Sequence, residues 1–341
     1  MKTGRKLVLC LLAALAVLIG AVCTGSAAVA PGQIAAVLAN RLAGAALPAD
    51  LPAAVVSIVW QIRLPRALCA FFVGAALAAS GTVMQSVLQN PLASSYTLGV
   101  SSGAALGAAL VIVSGVSLPL LGALTLPAAG FAFGLLTVVA ALALSARIDQ
   151  RMENQTVILI GMVLSLFVNA LLTLLSAMYQ SHLQQLILWQ MGSFSGRSWP
   201  QLAVLAPVTL AGVLALCFFA REMDLLSFSE ERARALGVET RRVKWILIVL
   251  ASLLTGTAVC FTGIIGFVDL IAPHVVRRVF GPAHRLLLPL SALFGGVFLV
   301  AADTLARTVL APVELPVGAV TALVGAPFFA WVYFKKGGRG R

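Results

Sequence analysis

Charged residues are scarce in this sequence, and acidic residues are the scarcest. Only 10% of the 341 residues are charged, with 11 acidic against 23 basic side chains, whereas 61% are hydrophobic. The mean hydropathy of +1.05 is far above what the surface of a soluble globular protein tolerates. The composition therefore indicates an integral membrane protein. It disfavours a soluble enzyme, a disulfide scaffold and, despite the net charge of +12, a nucleic-acid binder.

Metal-binding and redox motifs are also missing. The cysteines are odd in number and lie in apolar runs without paired spacing, which is typical of small buried hydrophobes. They are Cys10, Cys23, Cys69, Cys217 and Cys260. His182, His274 and His284 form no HExxH or other ligand spacing, so we expect structural roles for all three. The sequence predicts no metal site and no cofactor.

The sequence contains no energy-converting motif of its own. It has no Gly-Lys dipeptide, and hence no GxxxxGK[ST] loop to hold the phosphates of ATP. An ion-coupled carrier needs carboxylates inside the bilayer. Among the acids, Asp269 lies at membrane depth, whereas Asp303 and Glu314 lie near the outer surface. An ion-coupled secondary transporter is the weaker alternative, and an intramembrane enzyme is weaker still.

Long apolar runs predict an all-α protein with about ten membrane spans in a single domain over residues 1–341. We place the spans near 7–30, 66–85, 98–116, 120–145, 156–178, 200–220, 243–262, 266–280, 286–302 and 316–334. The first run is too long for a signal-peptide core and is read as an uncleaved span. An even number of spans puts both termini on one side, where 18 of the 23 basic residues fall. The positive-inside rule makes that side cytoplasmic.

A weak internal repeat appears when the chain is shifted by 182 residues. The shift covers five spans, an odd number, so the two copies would be inverted relative to each other, as in many transporters. Chance agreement in a chain rich in Gly and Ala is an equal alternative. The matched positions are Gly74, Ala76, Gly81 and Pro91 with Gly256, Ala258, Gly263 and Pro273.

The longest polar interruption, residues 221–244, is predicted to form two short helical pieces on the cytoplasmic side. Ser229 followed by acidic residues is an N-cap signal, and Gly237 is a C-cap signal. A structured segment of this kind indicates a docking point for a partner. An ordinary solvated linker is the alternative.

Arginines mark the opposite side of the predicted protein. Arg63 and Arg66 flank Pro65, a residue suited to a first helical turn. Such arginines either anchor a helix at lipid headgroups or pair with carboxylates of a partner, and position alone favours anchoring. Arg307 follows Asp303 by four residues, so we expect these two to pair with each other.

Several stretches along the chain carry a family resemblance. They are RLPR at 63–66, SGTVMQSVLQNPLASSYTLGVSSGA at 80–104, WQMGSFSGRSW at 189–199, ERARALGV at 231–238, GIIGFVDLIAPHVVRRVFG at 263–281, and AADTLAR with ELPVGAVTALVGAPFF at 301–329. In this order they resemble the membrane permeases of ABC importers for iron-siderophores, haem and cobalamin. The likeness runs nearly end to end.

The resemblance implies a non-enzymatic permease in the cytoplasmic membrane, a homodimer of ten-span subunits. Two separate cytoplasmic ATPase subunits would drive it, and an extracytoplasmic substrate-binding protein would supply it. Iron-siderophore is the expected cargo because it is the commonest in the family, and haem and cobalamin stay open. The implied sites are binding-protein docking at Arg63, Arg66 and Arg307, ATPase coupling at Glu231, Arg232, Ala235, Leu236 and Gly237, and a gate at Gln155 and Thr156.

Two residues depart from the family pattern. Ser95 stands where the family often has proline, and Asp269 stands where it usually has glycine. Asp269 is either a functional intramembrane acid or a cap for the N-terminus of the eighth span. We favour the cap, because helix amides and the helix dipole stabilise a carboxylate at that end.

Overall fold

The computed structural model describes residues 3–25, 27 and 29–337, and in this part of the chain every regular element is a helix. The first half contains α1 Thr3–Cys23, α2 Pro31–Ala43, α3 Ala53–Ser57, α4 Leu64–Val87, α5 Val100–Ser114, α6 Thr125–Ile148, α7 Asn154–Met178 and α8 Leu183–Gln190. The second half contains α9 Trp199–Phe218, α10 Ala220–Phe228, α11 Glu230–Ala235, α12 Thr240–Thr262, α13 Val268–Phe280, α14 His284–Thr308 and α15 Val317–Gly337. The all-α prediction is confirmed.

Each of the ten predicted spans coincides with a helix. In the described residues, seven helices are long and apolar enough to cross a membrane, and they include α1, α4, α6, α7, α9, α12 and α14. The other three predicted spans correspond to α5 with 15 residues, α13 with 13 residues, and α15. At 1.5 Å per residue, α5 and α13 are shorter than a bilayer core, so at least one end of each lies within its thickness.

The helices give the molecule two ends. The coupling end comprises the α6–α7 turn, α10, α11 and the α13–α14 turn. Lys6 near the start of α1 donates to the carbonyl oxygen of Val279 at 3.0 Å, which puts the start of α1 at this end. The arginine end comprises Arg63, Arg66, Arg307 and the residues around them.

The last helix begins at the arginine end and runs back. The amide of Val317 donates to the carbonyl oxygen of Gly192 at 3.1 Å. Further along α15, the rings of Phe329 and His274 lie 6.3 Å apart, which places α15 beside α13 on its way to the coupling end. The first and last helices therefore both have their free ends at the coupling end.

Helix α4 forms the centre of the bundle, and residues 73–88 are all buried. Small residues let neighbouring backbones approach it closely. A Cβ added to Gly74 would lie 2.2 Å from the carbonyl oxygen of Gly295 in α14. A Cβ added to Gly81 would lie 2.0 Å from the carbonyl oxygen of Asp269 in α13. These two glycines fix how α13 and α14 sit against α4.

The predicted boundaries of the first two spans are wrong. Helix α1 ends at Cys23 instead of residue 30, and a separate amphipathic helix, α2, begins at Pro31 and buries Ile34 and Val37. Pro65 does not start a helix, because helical structure already runs from residue 53. A π-helical turn over Ile58–Arg63 comes directly before it. This wider turn accommodates the missing N–H of proline within a continuous helix.

The 182-residue shift relates α4 to α12 only in part: Gly74 and Ala76 fall on Gly256 and Ala258 inside α12. Gly81 lies inside α4, whereas its counterpart Gly263 lies in the break after α12. Pro91 lies in a turn, whereas Pro273 lies inside α13. The 182-residue register therefore does not hold at these two pairs of positions.

Gly74→Ala tests the close approach of α4 and α14. We expect it to lower the free energy of unfolding by about 1–3 kcal/mol, because the new methyl group would overlap a backbone carbonyl. Gly20→Ala in α1 is the matched control, since nothing lies within 4 Å of its added Cβ. Thermal unfolding in detergent compares the two. Equal stability of both variants would contradict the contact.

Candidate functional site

The polar segment at the coupling end folds as two short helices, as the sequence predicts. Between α10 and α11, the Ser229 side chain accepts a hydrogen bond from the Arg232 amide at 3.5 Å. Gly237 follows α11 with φ of 85°, a conformation that favours glycine. The segment is a defined structure rather than a solvated linker.

One face of this segment is open to solvent. The five residues predicted to contact an ATPase are all exposed, and they are Glu231, Arg232, Ala235, Leu236 and Gly237. We call these residues the coupling face. Leu236 is 67% exposed and Phe228 nearby is 77% exposed, whereas Ala233 turns inward and is fully buried. Exposed large apolar side chains beside charged ones are typical of a protein-binding surface.

The predicted gate residues lie at the start of α7. Gln155 is exposed and Thr156 is half-buried. The turn before these residues contains Asp149. Hydrogen bonds from the amides of Glu153 and Arg151 hold the pKa of Asp149 below its ordinary value. The gate residues therefore follow a tightly hydrogen-bonded turn.

Two buried side chains that sequence reasoning did not single out as site residues tie the coupling segment to the bundle. Lys244 of α12 is hydrogen-bonded to Glu230 of α11. The Nδ1 atom of His284 in α14 lies 2.6 Å from a carboxylate oxygen of Asp224 in α10, and its Nε2 lies 2.5 Å from Oγ of Ser86 in α4. A lysine inside the apolar stretch of residues 243–262 was the available signal for the first tie.

At the arginine end, the guanidinium of Arg66 bridges two carboxylates. It lies 2.9 Å from Asp303 and 2.7 Å from Glu314. Arg66 and Asp303 are buried, whereas the side chain of Glu314 is 40% exposed. Hydrogen bonding to Arg66 holds the pKa of Glu314 below its ordinary value. Arg307 lies 3.6 Å from Asp303, so the predicted pairing is confirmed, but Arg66 is the nearer partner.

The other two arginines hold the end of α1. Arg63 is 4% exposed and donates to the carbonyl oxygens of Val22, Cys23 and Ala27. Arg307 is 8% exposed and donates to the carbonyl oxygens of Ala21 and Thr24. Together with Arg66, all three predicted docking arginines are thus buried and bonded within the chain. Their position does not match simple headgroup anchoring, and any docking through them must displace an internal partner.

A known protein family matches nearly the whole chain. The model of the FecCD transport family matches residues 11–335. The chain belongs to the FecCD transport family. The resemblance seen in the sequence is thereby confirmed.

Relatives of this FecCD-family permease are named as import subunits. It is 42% identical to the cobalamin import system permease protein BtuC of Halobacterium salinarum, over 81% of this chain and 73% of that one. It is 40% identical to the hemin transport system permease protein HmuU of Yersinia pestis, over 82% and 84%. This chain is the membrane permease of an ABC importer, a class that works with ATPase subunits and substrate-binding proteins.

A solved structure shares the fold. It is described as an inward-facing conformation of a metal-chelate type ABC transporter, and it is 31% identical to this chain. The TM-score is 0.83, with 97% of this chain and 99% of the other covered. The fold of the FecCD-family permease is therefore that of a known ABC transporter over nearly its whole length.

Asp269, the departure from the family pattern, lies in the first turn of α13 and is 4% exposed. Its carboxylate accepts a hydrogen bond from the Ser94 hydroxyl. Ser95, the second residue that departs from the family pattern, has its Oγ atom 2.6 Å from Oγ of Ser80. Asp269 therefore occupies the helix N-terminus, although Phe267 holds the N-cap position itself.

Asp269→Asn separates the two interpretations of this acid. If the side chain only satisfies the helix N-terminus, the amide oxygen replaces the carboxylate, and we expect uptake within about twofold of the parent and a loss of about 1 kcal/mol in stability. Ser94→Ala is the control, because it removes the same side-chain hydrogen bond. Loss of uptake in a stably folded Asp269→Asn protein would instead assign a functional acid.

Proposed function

We propose that this permease carries a metal chelate, with an iron-siderophore as cargo, into the cytoplasm. It acts as a homodimer of single-domain subunits over residues 1–341, and separate subunits hydrolyse the ATP. Two observations support the cargo class: the names of relatives that carry cobalamin and hemin, and the structural match to a metal-chelate type transporter. Haem and cobalamin are the alternatives within this class.

We further propose that the coupling end faces the cytoplasm. By sequence, 18 of the 23 basic residues fall in the segments that ten spans would put on the side of the coupling end. Lys and Arg accumulate on the cytoplasmic side of membrane proteins. Both termini of the chain are then cytoplasmic, and the arginine end is extracytoplasmic.

The proposal is supported best by the exposure of Leu236, which directly follows α11, a helix with a fixed position. The side chain is 67% exposed, while Ser229 caps α11 and Arg234 ties α11 to Thr240 at the start of α12. A leucine presented to water on a rigid support gains free energy when a partner covers it. We assign the coupling face as the surface that docks on the ATPase subunit.

Binding-protein docking is assigned to the arginine end. Glu314 is the half-exposed partner of Arg66, so it is the partner that an incoming carboxylate displaces most readily. Arg63 and Arg307 are buried at the same end and add positive charge to it. Docking is then an exchange of one carboxylate for another on Arg66, with Glu314 as the competitor.

Leu236→Asp tests the coupling face. We expect association with the ATPase subunit to weaken by about tenfold or more, because a charge replaces the central apolar contact. Val313→Asp is the matched control, since Val313 is 64% exposed at the opposite end. Co-purification and ATP hydrolysis in nanodiscs measure the effect. Normal association of the Leu236→Asp protein would remove the coupling face from the proposal.

Glu314→Gln tests the exchange at Arg66. We expect tighter docking of the binding protein by about two- to tenfold, because the competing charge is gone, and the gain should shrink at high salt. Glu239→Gln is the control, as Glu239 is 74% exposed at the coupling end. The measurement is the affinity of the binding protein for the permease in nanodiscs. Unchanged or weaker docking would count against the exchange.

The cargo is tested with the complete importer. The permease, its ATPase subunit and its binding protein are reconstituted in proteoliposomes, and ATP-dependent uptake of ferric siderophores, haemin and cobalamin is compared. Bulky chelates need a weakly lined path, so selectivity should follow the binding protein. Uptake of haemin or cobalamin with no siderophore uptake would overturn the cargo assignment and leave the transporter class intact.

A further inference from the structure

Lys244 is an unusual lysine, because its side chain is only 1% exposed. Its ammonium group has three N–H donors, and each finds an acceptor. The Nζ atom lies 3.0 Å from the carbonyl oxygen of Met152 and 2.8 Å from Oδ1 of Asn154. The third donor goes to the carboxylate of Glu230. The buried charge is therefore paired and saturated, which is the condition for keeping it inside a protein.

The acceptors of Lys244 belong to separate elements. Glu230 is the first residue of α11, Met152 lies in the α6–α7 turn, and Asn154 is the first residue of α7. Arg234 adds a brace, with 3.2 Å to Glu230 and 3.0 Å to the hydroxyl of Thr240 at the start of α12. One ammonium group thus joins the helix of the coupling face to the start of α7.

The turn that Lys244 holds is rigid in its own right. The side chain of Met152 is fully buried and its φ is 52°, a value that few non-glycine residues adopt. The carboxylate of Asp149 closes the turn by accepting from the amides of Arg151 at 2.8 Å and Glu153 at 2.6 Å. A displacement applied at the Met152 carbonyl is therefore passed to the first turn of α7 instead of being absorbed.

A second tie holds α10 differently. Asp224 accepts from the amide of His284 at 2.9 Å and lies 2.6 Å from its Nδ1 atom, while Ser86 lies 2.5 Å from its Nε2 atom. These contacts lead to α14 and α4, the centre of the bundle. Helix α10 is thus fixed to the core, whereas α11 is fixed to the start of α7.

We propose that Lys244 is a positioning residue that transmits movement of α11 to the start of α7, and so to Gln155 and Thr156. The proposal rests on the proposed function, in which an ATPase moves the coupling face. Hydrogen bonds to a buried charge are strong and directional, so the three acceptors move with the ammonium group. Apolar contact alone would let α11 slide past the turn.

The test uses the complete importer with Lys244→Met, and with Arg241→Met as the matched control on an exposed arginine of the same helix. We expect ATPase association and hydrolysis within about twofold of the parent, but uptake per ATP lowered by about tenfold or more. Glu230→Gln and Asn154→Ala remove single acceptors and should lower the same ratio to a smaller extent. Glu230→Gln and Asn154→Ala replace Lys244→Met in the test if the Lys244→Met protein does not fold.

A distance measurement tests directly whether movement of α11 reaches the start of α7. Spin labels at exposed positions 151 and 285 report the α6–α7 turn against the start of α14. In the parent we expect a nucleotide-dependent change in this distance, and in Lys244→Met we expect the change to vanish while the ATPase stays bound.

Two results would overturn the relay. The first is a Lys244→Met protein that matches Arg241→Met in uptake per ATP and in the distance change. The second is loss of ATPase association in Lys244→Met, since the residue would then only shape the coupling face. Failure of the proposed docking face is seen separately, as normal association of Leu236→Asp.

Discussion

At each end of this bundle, a buried charge is stabilised by partners that the chain itself supplies. An ion taken out of water without such partners costs several kcal/mol. The structure meets this constraint at both ends: Arg66 lies between Asp303 and Glu314, and Lys244 lies among three acceptors. The positions of these partners determine which side chains at the arginine end and at the coupling end stay available to other proteins.

The two ends use the constraint differently. At the arginine end, internal partners hold the end of α1 against α4 and α14, so a docking protein must compete for guanidinium groups already in use. At the coupling end, internal partners bind the first residue of α11 and leave the coupling face exposed. The first arrangement suits a contact that forms and breaks by exchange, and the second suits a contact that bears force.

Sequence patterns predicted much of the fold, because long apolar runs report membrane burial directly. The ten spans and the paired helices around Ser229 and Gly237 were predictable on these grounds. Helix α2 was not, since its amphipathic 13 residues are too short and too polar for a span. The π-helical turn before Pro65 was also missed, because its conformation depends on the continuous helix that forms from residue 53.

The candidate sites were predicted less evenly. The exposure of the coupling face follows from its polarity, whereas burial of Arg63, Arg66 and Arg307 depends on long-range contacts. Arg66 and Glu314 are 248 residues apart, and no local pattern links them. Lys244 stands out in the sequence as a lysine in an apolar stretch, but its partners Met152 and Asn154 precede it by about 90 residues, so no local pattern identifies them.

We propose that this chain is a passive conduit driven from its coupling end. The decisive measurement is uptake into sealed proteoliposomes, with an ion gradient imposed and the ATPase subunit either present or omitted. We expect accumulation only when the ATPase and ATP are both present, whatever the gradient. Uphill accumulation by the permease alone under the gradient would contradict it.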